Sequence, residues 1–69
     1  MLEAGADPDQ TYQDGMTPLM YAALNDNPGL VKALLERGAH RALTNKDGLT
    51  ALDIARGFGH AEVVELLRH

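Results

Sequence analysis

The side chains of this 69-residue chain that could do chemistry are few and badly spaced for it. His40, His60 and His69 fall in an expected loop, at an expected helix start and at the last residue, with no i,i+4 pair and no cysteine to complete a zinc set. Such histidines read as scattered surface residues. Asp7-Pro8-Asp9-Gln10-Thr11 opens like a calcium loop, but Tyr12 stands at the sixth position, which needs Gly, and Pro18 at the twelfth, which needs Glu. Serine is absent, which removes the commonest acyl-transfer nucleophile, and no Gly-x-x-x-x-Gly-Lys loop is present to cradle a phosphate. Asp14 and Asp47 form a carboxylate pair only in the sense that each precedes a glycine, where Asp commonly serves the turn itself. No catalytic, metal or cofactor site is expected.

The bulk properties agree with a small binding domain. A chain of this length makes one domain with a thin core, burying about 60% of its unfolded surface. Hydrophobic residues make up 45% but aromatics only 4%, so Ala and Leu must carry the packing. A net charge of −4 without any Lys/Arg run argues against nucleic acid or an acidic membrane as partner. The lack of cysteine favours an intracellular setting, and no apolar run approaches the length of a membrane span, so the chain is read as soluble.

The elements that would have to position any site emerge from self-comparison. "LEAGA" at 2–6 returns as "LERGA" at 35–39, an offset of 33 that needs no gap. In the same register Thr11, Asp14, Gly15, Thr17, Leu19, Ala22, Val31 and Leu34 each meet an identical residue, and Leu30 meets Val63. Within each unit Asp14-Gly15 and Asp47-Gly48 are turn dipeptides. Thr17 follows as an N-cap with Pro18 at the first helical position, and Thr50 repeats the cap with Asp53 able to reach back to it. "NDNPG" at 25–29 cannot continue a helix, and Asn27 before Pro28 caps the next one. Leu30, Val31, Leu34 and Leu35 form a single apolar stripe that Gly38 terminates; Val63, Val64, Leu66 and Leu67 repeat it. The stripes read as core. Helices are predicted near 17–25, 29–37, 50–58 and 60–68, in two layers, with no sheet beyond short turn hairpins.

These segments resemble the ankyrin repeat, a 33-residue turn-plus-two-helix unit whose signature is Thr-Pro-Leu-His-x-Ala. "DGMTPLMYAALNDNPGLVKALLERGA" and "DGLTALDIARGFGHAEVVELL" carry the match over essentially the whole chain. Met20 and Asp53 stand where the family usually has His, so the polar link that imidazole makes between units is lost or altered, and Ala51 replaces the proline in a form similar to that of final repeats. The implied fold is all-α: an ankyrin-repeat solenoid of two near-complete repeats plus an N-terminal stub. Residues 1–11 are read as the tail of a preceding repeat, 12–44 as one repeat and 45–69 as a C-terminal repeat. Because about three units are needed for stability, the chain is expected to be a fragment or to associate with something, including itself through the open N-terminal faces of Leu19, Leu30 and Leu34.

The resemblance implies binding of another protein, without catalysis or cofactor, on the concave surface of turn tips and first helices. Carried over by register, it selects Gln13, Asp14, Met16, Leu24 and Asn25 in one unit and Lys46, Asp47, Leu49, Gly57 and Phe58 in the next. Met16, Leu24, Leu49 and Phe58 would form an apolar patch rimmed by Asp14, Lys46 and Asp47. For Phe58 a second reading stays open, local packing against the turn between helices. Two other functions also stay open: spacer or capping units of a longer array whose partner site lies elsewhere, and, remotely, a small enzyme or metal protein.

Overall fold

In the computed structural model, which describes residues 11–12 and 14–68, the chain forms four helices. They are α1 (Pro18–Leu24), α2 (Pro28–Glu36), α3 (Ala51–Phe58) and α4 (Ala61–Arg68). The expected boundaries hold to within two residues, and the break at 25–27 falls where Asn27-Pro28 requires it. The segment expected to be a preceding repeat's tail lies, apart from Thr11, outside the described residues.

Local chemistry fixes each start. Thr17 Oγ1 accepts from Met20 N at 3.2 Å, and Thr50 Oγ1 accepts from Asp53 N at the same distance. Asp53 completes the box by accepting from Thr50 N at 3.1 Å. In the first unit a sulfur does this work, since Thr17 N donates to Met20 Sδ at 3.4 Å. Asn27 Oδ1 accepts from Leu30 N and caps α2.

The described helix ends of α1, α2 and α3 share one closure. Asn27 N reaches Ala22 O, Ala39 N reaches Leu34 O and His60 N reaches Ala55 O, each at 3.0 Å, and the residue before each donor has positive φ. Gly38 and Gly59 supply that φ in two cases, whereas in the first it falls to Asp26 at +52°, a conformation that Asp tolerates better than most L-residues.

The helices stack in two layers, α1 against α3 and α2 against α4. Ala22, Ala23, Ala51 and Ala55 are at most 1% exposed, so the first-helix layer closes on methyl groups and allows near backbone approach. Val31 and Leu34 of α2 and Val63 and Leu67 of α4 are buried in the same cluster as Leu19, Met20 and Ile54 of the first-helix layer. Met16 joins this core at 9% exposure, which corrects its expected place in an exposed patch. Its sulfur accepts from Asn45 Nδ2 at 3.5 Å, so the side chain turns toward the next unit. Leu19 and Leu34, expected to lack a neighbour, are 1% and 0% exposed, and only Leu30 of that group is half-buried.

Leu34→Ala should therefore destabilise by about 2–5 kcal/mol, because the cavity opens where two layers meet. Thr17→Ala should cost about 1 kcal/mol through lost capping. Urea titrations of the two variants should rank them in that order; the reverse order would misplace the core.

Candidate protein-binding surface

The turns that precede α1 and α3 are built alike. Tyr12 N donates to Met16 O and Asn45 N donates to Leu49 O, both at 2.9 Å, with Gly15 N and Gly48 N closing onto Tyr12 O and Asn45 O inside. Adjacent turns join through Lys46 N donating to Asp14 O at 3.1 Å. Gly15 is required here twice over: its φ is +74°, and a Cβ would sit 3.2 Å from Lys46 N. The side chain that organises the second turn is Asn45, whose Oδ1 accepts from Asp47 N at 2.9 Å and Leu49 N at 3.0 Å. The Asp14 carboxylate instead lies 3.6 Å from Lys46 Nζ, an exposed pair of small energetic weight.

The other residues selected by register fall on the turns and the first-helix ends. Asp14, Lys46 and Asp47 are exposed on the turns, and Leu49 is 41% exposed behind them. Leu24 is half-buried at the end of α1, followed by exposed Asn25. Phe58 is 61% exposed at the end of α3 and also packs locally, its ring stacked on His60 in the turn between α3 and α4; Gly57 beside it is exposed too. Gln13 lies outside the described residues. Sequence reasoning missed Tyr12 and Tyr21, whose rings meet edge to face at 5.2 Å with Tyr12 52% exposed. Their signal was the positions themselves, Tyr12 at the start of the turn and Tyr21 in the first helix, where it is half-buried against the core.

His60 is not the scattered surface histidine expected from sequence. Its Nε2 lies 3.3 Å from Leu24 O, its Nδ1 lies 3.8 Å from Asp26 Oδ2, and its ring stacks on Phe58 with centroids 5.7 Å apart. It thus ties the second unit to the open carbonyl end of α1. Arg41 makes the converse tie, its Nη1 donating to Leu67 O at 3.1 Å near the end of α4. Among the described residues no three His, Cys, Asp or Glu side chains are grouped to hold a metal, and no helix is long and apolar enough to cross a membrane.

Two family models match this geometry's sequence: one for ankyrin repeats in many copies over residues 1–55, and one for a single ankyrin repeat over residues 47–69. The chain belongs to the ankyrin repeat family, whose members are generally protein-interaction modules without enzymatic activity. It is 47% identical over 58 residues to the NAD-capped RNA hydrolase NUDT12 of Homo sapiens, covering 84% of this chain and 13% of that protein. Protein fem-1 homolog A of Bos taurus is 46% identical over 54 residues, covering 78% of this chain and 8% of that protein. A putative ankyrin repeat protein of Neisseria meningitidis is 46% identical over 55 residues, covering 80% and 22%. The chain thus spans less than a quarter of the length of these relatives.

Because Leu24 O would lose its partner in a half-buried seam, His60→Ala should cost about 1–2 kcal/mol. Backbone amide exchange should then quicken at the end of α1 as well as in α4. Protection changed only in α4 would show that the tie carries no coupling between units.

Proposed function

We propose that the chain is a non-catalytic module that binds another protein through its turn tips and first-helix ends. The observation that carries this reading is where large apolar side chains are left in water. Among the described residues Tyr12, Leu43, Leu49 and Phe58 are the exposed ones. Three of these four stand on the turns or at the end of α3, and none stands on a second helix. Exposed aromatics beside Asp14, Lys46 and Asp47 have the composition of an interface centre with a polar rim. The relatives point the same way, since a hydrolase and a fem-1 homologue share this stretch as a small part of otherwise much longer chains. The paired turns support repeat boundaries near residues 12 and 45.

Phe58→Ala should reduce affinity for whatever the chain captures by about 2 kcal/mol while leaving its melting temperature nearly unchanged, since the ring is mostly solvated. The comparison is quantitative capture from extract by the two proteins at equal folded concentration. Identical capture profiles, together with identical profiles for Leu49→Ala, would remove this surface from the function.

A second reading, that the latter unit also closes the stack, rests on register. Met20 and Ala23 in the first unit are 1% and 0% exposed, while the equivalent Asp53 and Arg56 are charged and exposed. A further unit stacked there in the same way would have to desolvate both charges. Asp53→Met combined with Arg56→Ala should make the chain self-associate in sedimentation velocity at concentrations where the parent does not; unchanged sedimentation would exclude a closing role.

A further inference from the structure

We propose that the spot formed by Phe58, His60 and Asp26 receives an arginine side chain of the bound protein. The inference rests on the protein-binding reading and gives that surface a chemistry. His60 Nε2 must carry a hydrogen to bond the Leu24 carbonyl, so in the neutral ring Nδ1 is a bare lone pair. His60 Nδ1 and Asp26 Oδ2 stand 3.8 Å apart, too far for a hydrogen bond between them, so the half-exposed carboxylate keeps acceptor capacity for a donor from outside. Asp26 is held there by its left-handed backbone, with its side chain 55% exposed. Beside this fork lies Phe58, stacked on His60 at an interplanar angle of 11° and otherwise open to solvent. The carbonyl ends of α1 and α3 both finish at this seam and add negative potential.

A guanidinium meets all of these requirements at once. Its plane stacks on an aromatic face, and its diverging N–H groups can serve a carboxylate and a neighbouring acceptor together. An ammonium supplies the charge without the plane. Arg56 of the chain itself does not fill the spot, because two residues before Phe58 it lies about 200° around the helix. Its side chain is exposed, whereas the equivalent Ala23 of the first unit is 0% exposed.

The test is selection of a random peptide library on the full chain, followed by affinities of selected peptides synthesised with Arg, Lys or the neutral isostere citrulline. Selected peptides should be enriched in Arg over Lys. Replacing that Arg by citrulline should weaken binding about tenfold. Asp26→Asn, which keeps a residue tolerant of the left-handed backbone, should abolish most of the Arg-over-citrulline preference. Unchanged amide spectra away from residue 26 would certify its fold. Peptides that depend on Phe58 yet accept citrulline or Lys equally would overturn the arginine assignment and leave the protein-binding surface standing. Peptides indifferent to both Phe58→Ala and Leu49→Ala, or no selection at all, would overturn both.

Discussion

Close approach of α1 and α3 is the condition on which the rest of the molecule depends. α1 and α3 pack on each other, and Ala22, Ala23, Ala51 and Ala55 are at most 1% exposed, so much of what these two helices bury is methyl-sized. That packing lets Lys46 N reach Asp14 O between consecutive turns, and it places the His60 ring under Leu24 O. A chain with one Phe, two Tyr and no Trp could not build such contact on bulk. It combines small residues with aliphatic ones, and Leu19, Met20, Val31, Leu34, Ile54, Val63 and Leu67 join the alanines in a single buried cluster.

Most of this architecture was legible because it is written locally. Caps and closures lie within a few residues of the groups they satisfy, so Thr17-Pro18, Asn27-Pro28 and Thr50 with Asp53 announced their helices without tertiary knowledge. The buried stripe was legible for the same reason, its period being that of the helix. Met16 was not. Its position after a turn glycine matches Leu49, yet Leu49 is 41% exposed and Met16 9%, because Met16 has the Asn45 side chain of a following turn against it. Burial in a stack depends on which neighbour exists, and identical register in two units does not give identical surroundings.

The candidate surface shows the same division. Register brought Phe58 to the end of α3 but left open whether it faces a partner or its own turn, and in the fold it is 61% exposed while stacked on His60. His60 was misread because its partners, Leu24 O and Asp26, are far away in sequence. The significance of Asp26 was equally out of reach from sequence, since "NDNPG" marks a helix break but not which of its residues takes the left-handed conformation.

The two kinds of bond in this molecule bear on how such a chain can grow and diverge. Closures such as Ala39 N to Leu34 O are backbone bonds contained within one unit, so duplicating the DNA for 33 residues anywhere in the period copies a complete set of them. The ties from Arg41 and His60 are side-chain bonds that cross from one unit to another. Point substitution can alter them without disturbing any closure. Every duplicate thus arrives with its own turn and helix closures, while its fit to a particular neighbour is adjusted afterwards through side chains, beside the backbone bond that adjacent turns share.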